Sequence, residues 1–260
     1  MLPASPGGPG GRDVAEELRG RTALVTGGAR RIGRAVALAL AEAGADVVVH
    51  YHRSETEARE TVREIERLGR RAWAVPADLR REPEVRTLFA EARRFAGPLQ
   101  VLVNGASTFP ASTFAEFTRE ELIESVEVNA WAPLAAARCF VGQVEAGAIV
   151  NFLDTRVVGY DWGHVAYHAG KTLFELFTRE MALRWAPRFR VNAVAPGLIL
   201  PPEGEGPEYF ERLKGGVPLE RVGTVRDVTE AVLFLLRAPY LTGQVIWVDG
   251  GRHLLEARRG

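Results

Sequence analysis

The sequence predicts an α/β protein built on a doubly wound parallel sheet of about seven strands with helices on both faces. Three observations indicate this class. Short apolar runs alternate with helical segments from residue 22 to residue 248. The runs are continuously apolar, which is typical of strands buried on both faces. A glycine pair, Gly27 and Gly28, separates the first strand from the first helix. Because no repeat or linker divides the chain, we expect one domain.

The first half of the chain contains four predicted strands and three predicted helices. Glycine ends two of the helices, at Gly44 and at Gly69. Ser54 is expected to cap the second helix, and Pro83 lies in the first turn of the third. The predicted strands are 22–26, 47–49, 72–75 and 99–103, and the predicted helices are 32–43, 54–68 and 83–95.

The second half contains three predicted strands and three predicted helices. Thr118 is expected to cap a helix that continues beyond residue 128, and Pro133 is expected to bend it. The stretch from Gly197 to Val222 has the composition of a loop. The predicted strands are 148–152, 190–194 and 245–248, and the predicted helices are 118–128, 164–185 and 225–236.

Composition excludes several classes of protein. The 47% hydrophobic and 25% charged residues are typical of a folded globular chain. Lys and Arg number 33, as do Asp and Glu, so no global charge favours nucleic acid or an anionic membrane. A single cysteine, Cys139, excludes an intrachain disulfide and a cysteine-rich metal site, and we expect no metal.

The N-terminal region is rich in proline and glycine and has no apolar run. It is therefore not a signal peptide, and we interpret residues 1–18 as a loose tail or a misassigned start before a folded domain at 19–260. No run approaches the roughly 18 apolar residues that a membrane span needs. We expect a soluble cytoplasmic protein.

The glycines at the first strand–helix junction predict a dinucleotide site. Gly27, Gly28 and Gly33 would let a phosphate approach the backbone at a helix N-terminus, although an ordinary tight turn uses the same residues. At the end of the second strand, His52, Arg53 and Ser54 stand where an acidic residue would select NAD. These donors favour the 2′-phosphate of NADPH, the alternative being a solvated basic strand end.

The run Thr-Gly-x-x-x-x-x-Gly resembles the phosphate turn of the short-chain dehydrogenase/reductase family, with Arg31 at its middle glycine. The resemblance extends over residues 21–251 and implies a Rossmann-like fold. A threonine that many relatives have soon after Pro196-Gly197 is absent. The implied cofactor contacts are Gly27, Arg31, Ile32, Gly33, His52, Arg53, Ser54, Asp78, Leu79, Asn104, Ala106, Tyr167, Lys171, Pro196 and Gly197.

Tyr167 and Lys171 lie four positions apart and share one face of a helix, where an ammonium favours the phenolate. The family resemblance implies that Tyr167 donates a proton. It also implies that Lys171 lowers the pKa of Tyr167 and holds the nicotinamide ribose. Asn129 would support a water-linked proton path, or it is a helix-interior amide bonded to the backbone.

Asp154 stands thirteen positions before Tyr167, where the family has serine. A serine hydroxyl suits a carbonyl substrate, whereas a carboxylate opposes a developing oxyanion. A carboxyl group suits a substrate nitrogen, and burial with a bound cofactor could keep it protonated near neutrality. Asp154 therefore favours reduction of a C=N bond, the alternative being an inactive site.

Three segments resemble pteridine reductases, including the bacterial dihydromonapterin and dihydrofolate reductases. They are residues 29–33, 50–54 and 103–109, and that subfamily shares the aspartate at position 154. The resemblance implies NADPH-dependent reduction of a dihydropterin or dihydrofolate to its tetrahydro form. Phe109 would stack on the pterin, Arg31 would reach the phosphates and the pterin edge, and Asp154 and Tyr167 would contact the substrate.

The substrate loop is expected at about 197–217, with Tyr209 and Phe210 as a lid and Arg212 or Lys214 near a folate tail. Apolar faces at 131–140 and 172–181 imply a homotetramer by resemblance, or they contact the sheet. Two other functions remain open. One is a general NADPH-dependent carbonyl reductase acting on 3-oxoacyl or sugar substrates, and the other is a catalytically inactive nucleotide-sensing protein.

Overall fold

The computed structural model describes residues 18–202, 204–206 and 208–256. The predicted tail lies outside these residues except for Leu18. That side chain is buried, and its N–H donates to the Ala43 carbonyl at 2.8 Å. The described fold therefore includes Leu18.

All seven strands are parallel and form one sheet in the order β3-β2-β1-β4-β5-β6-β7. The order reverses between β1 and β4, which confirms the doubly wound prediction. In open α/β sheets, the crevice at such a reversal is the usual ligand site. The strands are β1 Thr22–Thr26, β2 Asp46–Tyr51, β3 Ala72–Pro76, β4 Val101–Asn104, β5 Gly147–Phe152, β6 Phe189–Pro196 and β7 Val245–Val248.

Helices cover both faces of the sheet. Leu24, Val48 and Leu102 point to one face, while their neighbours Val25, Val47 and Val103 point to the other, and all are fully buried. Burial on both faces explains why the strands are continuously apolar. The helices are α1 Arg31–Glu42, α2 Glu55–Arg67, α3 Glu82–Ala96, α4 Arg119–Val126, α5 Ala132–Val141, α6 Val165–Trp185, α7 Glu208–Leu213, α8 Val225–Arg237 and α9 Arg252–Glu256.

Several local predictions can be compared with these elements. Thr118 caps α4 as expected, accepting from the Glu121 N–H at 3.2 Å in a capping box. Ser54 occupies the N-cap of α2 but makes no capping hydrogen bond, so that part of the prediction is wrong. The helix that begins after Thr118 is interrupted by a π-helical segment, Glu127–Trp131 (the π-turn), and Pro133 lies in the first turn of α5. The predicted loop after Gly197 contains the short helix α7.

Within the described ranges, we find no helix of sufficient length and apolarity to cross a bilayer.

Candidate active site

The turn after β1 is shaped by glycine. A Cβ on Gly33 would lie 2.1 Å from the Gly27 carbonyl oxygen, and one on Gly27, which has φ +67°, would lie 2.9 Å from Ala106 Cα. The Thr26 hydroxyl accepts from the N–H groups of Gly105 and Ala106 at 3.0 and 3.2 Å. The turn is thus packed closely against the loop after β4 and against the first turn of α1. This cradle fits the phosphates of a dinucleotide.

Arg31 has a left-handed backbone, with φ +54°. This is the position of the middle glycine in the family pattern, and the conformation explains why glycine suits it. For a non-glycine residue the left-handed conformation costs roughly 1–2 kcal/mol. The Arg31 guanidinium donates to the Pro201 carbonyl at the start of the predicted substrate loop. The next residue, Ile32, packs against the core beneath the turn.

The side chain of His50 supports the glycine turn, a role that was not predicted from the sequence. Its Nδ1 accepts from the Gly27 N–H at 3.1 Å, and its Nε2 lies 3.1 Å from the Ala77 carbonyl. Because that carbonyl can only accept, the proton is on Nε2. Burial lowers the pKa of His50 to about 4, so the ring is neutral at pH 7. A histidine at the end of an apolar strand was the available signal.

The end of β2 forms a basic rim. His52 and Arg53 are exposed, and Arg53 makes no hydrogen bond or ion pair with any residue of 18–202, 204–206 or 208–256. Asp78 lies opposite, with its Oδ2 3.8 Å from His52 Nε2 and 2.7 Å from Arg80 Nη2. The hydrogen bond from Arg80 lowers the pKa of Asp78 to about 2. Leu79 beside it is half-buried.

Asn104 is the last residue of β4, and Pro196 is the last residue of β6. Both lie at the edge of the sheet where the parallel strands end. The Asn104 amide is buried and donates to Asn151 Oδ1 at 3.0 Å, so its side chain braces β4 against β5. Pro196 is buried at the end of β6, and a Cβ on Gly197 would lie 2.7 Å from Asp249 Cβ. The chain therefore leaves β6 tightly packed against the loop after β7.

Asp154 and Tyr167 are brought together as the sequence analysis expected for catalytic partners. The Tyr167 hydroxyl donates to Asp154 Oδ2 at 2.9 Å. Burial, and then the negative charge of Asp154, raise the pKa of Tyr167 well above its usual value. The tyrosine is therefore a phenol in this structure.

The expected effect of Lys171 on Tyr167 is not observed. Lys171 Nζ donates to the Phe152 carbonyl at 2.7 Å and lies 5.8 Å from the Tyr167 ring centroid. Its burial lowers the pKa of Lys171 to about 8, against the charge of Asp154. The pKa of Tyr167 moves upward, opposite to the direction expected from an adjacent ammonium, because burial raises it most and the Asp154 carboxylate raises it further.

Asn129 lies in the π-turn and is buried. Its Oδ1 accepts from Ser107 Oγ at 2.6 Å and from the Thr108 N–H at 3.3 Å, while its Nδ2 donates to the Thr108 carbonyl at 3.2 Å. Asn129 therefore fixes the loop that leads to Phe109. Its part in a proton path stays a prediction.

Phe109 lies against the catalytic tyrosine. Its ring stacks on His164 with centroids 3.9 Å apart and meets Tyr167 edge-on at 4.7 Å. His164 therefore covers one face of the ring that was expected to stack on a substrate. The stacking role of Phe109 stays a prediction.

Arg156, like His50, is a residue of this site that was not predicted from the sequence. Its Nη1 lies 3.2 Å from Asp154 Oδ2, and its Nε lies 2.6 Å from Asp161 Oδ2. Its Cζ is 4.9 Å from the Phe109 ring centroid. Burial acts against its charge, but Asp154 and Asp161 raise the pKa of Arg156 overall. An arginine two positions after Asp154 was the only available signal.

A phosphate cradle at the point of strand reversal, next to a buried tyrosine that holds a proton, suits hydride exchange between a dinucleotide and a small substrate. The fold and site thus define the class of NAD(P)-dependent oxidoreductases. Comparison with known proteins gives the particular family: the chain belongs to the short-chain dehydrogenase/reductases. Residues 27–253 match a family model described as enoyl-(acyl carrier protein) reductase.

Individual relatives in this family have different activities. The chain is similar to 3beta-hydroxysteroid dehydrogenase 1 of Eggerthella lenta, with 34% identity over 92% of this chain and 96% of that protein. It is also similar to the crystal structure of FolM alternative dihydrofolate reductase 1 from Brucella canis complexed with NADP. That match has 34% identity and a TM-score of 0.85, and covers 92% of this chain and 96% of the other.

A third similar structure is a blue fluorescent protein from a metagenomic library, solved in complex with NADPH. It is 33% identical, with a TM-score of 0.85, over 91% of this chain and 99% of the other. The two complexes agree with the cofactor predicted from the basic end of β2.

Proposed function

We propose that the protein is an NADPH-dependent reductase that transfers hydride to a C=N bond of a pterin. A dihydropterin or dihydrofolate would become the tetrahydro form. The observation that carries this proposal is the 2.9 Å hydrogen bond from the Tyr167 hydroxyl to the Asp154 carboxylate. A carboxylate on the reacting tyrosine opposes the oxyanion of carbonyl reduction but suits a ring nitrogen that takes up a proton.

NADPH rather than NADH is the cofactor that the site residues favour. Gly27 and Gly33 allow the close backbone packing of a turn that would bind the phosphates at the start of α1. Arg53 is an exposed cation at the end of β2, where a 2′-phosphate would lie. Lys171 and Tyr167 would hold the nicotinamide ribose. The similarity to the FolM structure complexed with NADP supports the same choice.

When bound, NADPH supplies the hydride. The substrate carbon accepts it while the adjacent ring nitrogen accepts a proton, so that two hydrogens are added across the C=N bond. Tyr167 holds the proton on its hydroxyl, shared with Asp154, and can release it directly or through a water. Phe109, which makes a T-shaped contact with Tyr167, would orient the flat ring.

A homotetramer remains part of the proposal. Leu176 and Leu183 on α6 are 52% and 83% exposed, and Trp131 beside α5 is 40% exposed. Apolar side chains on these helices are suited to contacts between subunits. Sedimentation velocity of the purified protein would give the number of subunits.

Oxidation of NADPH against dihydrobiopterin, dihydromonapterin, dihydrofolate and a 3-oxoacyl thioester tests the proposed function. We expect a dihydropterin or dihydrofolate to have the highest kcat/KM. A higher value for the thioester would indicate a carbonyl reductase instead. NADPH binding without turnover of any of the four compounds would indicate a nucleotide-sensing protein.

A further inference from the structure

The guanidinium of Arg156 is held from two sides. Nη1 donates to Asp154 Oδ2 at 3.2 Å, and Nε forms an ion pair with Asp161 Oδ2 at 2.6 Å. Asp161 is itself fixed, because its Oδ1 accepts from the N–H groups of Gly163 and His164, each at 3.0 Å. A planar guanidinium with two of its nitrogens committed has little freedom to rotate. The direction of its third nitrogen is therefore set by the protein.

That third nitrogen, Nη2, makes no hydrogen bond with the described residues and is not a fully buried atom, so a ligand can reach it. It carries N–H donors next to the Asp154 carboxylate, in the cluster that contains Phe109 and Tyr167. A charged donor that is accessible and has no protein acceptor is available to an acceptor on a ligand, and such charge-assisted hydrogen bonds are the stronger ones. The cluster thus presents a carboxylate acceptor and a guanidinium donor side by side.

We propose that Arg156 determines specificity by donating from Nη2 to the lactam carbonyl oxygen of the substrate ring. This inference rests on the proposed pterin reduction. In a pterin, the carbonyl oxygen at position 4 and the nitrogen at position 5 lie on the same edge of the bicycle. With the carbonyl bound to Arg156, that nitrogen faces Tyr167 and Asp154. A 4-amino group cannot accept this hydrogen bond in the same way, so a 4-amino analogue loses the contact.

Folic acid and aminopterin are a matched pair of ligands for the test, because they differ at position 4, which is oxo in one and amino in the other. Their Kd values would be measured by calorimetry with the NADP⁺ complex of the wild type and of Arg156→Met. A hydrogen bond to a charged donor is worth about 1.5–3 kcal/mol, or roughly tenfold or more in affinity. We expect Arg156→Met to raise the Kd of folic acid by at least about tenfold and the Kd of aminopterin by less than about threefold.

Two further variants complete the test. Arg156→Lys keeps the positive charge but loses the planar arrangement of donors of the guanidinium. We therefore expect it also to weaken the binding of folic acid more than the binding of aminopterin. This variant provides the test if Arg156→Met does not fold. Arg179→Met removes an exposed arginine of α6 that pairs with Glu175, and it should leave both Kd values unchanged. Circular dichroism and thermal denaturation would establish that each variant is folded.

Equal weakening of the two ligands would overturn the inference, because a residue that only positions Asp154 affects both alike. Unchanged binding of both would overturn it as well. A wild-type protein that binds neither ligand and reduces no dihydropterin would instead contradict the proposed function, on which the inference rests.

Discussion

The two ends of the active site are built by different physical means. At the cofactor end, the turn is held by bare glycine backbone, the Thr26 hydroxyl and the neutral ring of His50. At the catalytic end, buried charges pair with one another: Asp154 and Asp161 with Arg156. Close packing is sensitive to added volume, whereas a charge network is sensitive to charge and pH. We therefore expect added side-chain volume to impair the cofactor end, and a change of charge or pH to impair the catalytic end.

The largest expected effect is at the cofactor end. Gly33→Ala places a methyl group 2.1 Å from the Gly27 carbonyl oxygen, a distance that the backbone cannot accept without moving. We expect the turn to open and NADPH affinity to fall by roughly 100-fold or more, an effect of about 3 kcal/mol. Fluorescence titration with NADPH measures it.

Gly215→Ala is the matched control, because a Cβ at Gly215 meets no atom within 4 Å. Its NADPH affinity should equal that of the wild type. Wild-type affinity in Gly33→Ala would show that the turn is not under steric control.

The neutral ring of His50 predicts a pH dependence of stability at the same end. Its pKa is 6.5 in the unfolded chain and about 4 in the fold, so the unfolded state binds more protons between these values. The stabilisation is complete above pH 6.5 and is lost as the pH falls towards 4, by at most about 3 kcal/mol. Urea unfolding at pH 4, 5, 6 and 7 measures the loss.

His50→Gln removes this titration and is the reference for that experiment. Its free energy of unfolding should be lower than the wild-type value at pH 7 and should fall less between pH 7 and 4. Parallel curves for the two proteins would contradict the assignment of a neutral buried His50.

At the catalytic end, Asp154→Ala removes the carboxylate that accepts from Tyr167. We expect kcat for the pterin substrate to fall by about 10²-fold, because the proton path loses one of its groups. The pKa of Tyr167 should also fall, since Asp154 contributes to raising it. Steady-state kinetics over pH 6–10 measure both effects.

Asp154→Ser provides the informative comparison, because it restores the hydroxyl that the family has at this position. We expect it to recover little pterin turnover. Near-normal turnover by either variant would exclude Asp154 from the proton path.

The smallest expected effect is at the rim of the cofactor end. Arg53→Ala removes an exposed cation, and the preference for NADPH over NADH, measured as the ratio of kcat/KM values, should fall by about tenfold. Arg59→Ala, which removes an exposed arginine paired with Glu55 on α2, should leave the ratio unchanged. A wild-type preference for NADH would contradict the role of Arg53.

The sequence predicted the cofactor end better than the catalytic end, for a physical reason. Glycine spacing and apolar runs are local patterns, so the strands and the turn at Gly27 could be predicted. The pairing of Arg156 with Asp154 and Asp161 depends on the 3₁₀ turn Thr155–Val158 and the loop after it, which local patterns do not specify. The upward pKa shift of Tyr167 could not be predicted, because it depends first on how deeply the phenol is buried and then on its contact with Asp154.

The π-turn Glu127–Trp131 joins α4 and α5 into one continuous helix whose two halves pack against different elements. Before the turn, α4 packs on α6, which carries Tyr167, and after it α5 packs on α3 at the other side of the layer. Asn129, within the turn, is hydrogen-bonded to the loop that leads to Phe109. Any displacement of this helix would therefore also displace the loop that leads to Phe109.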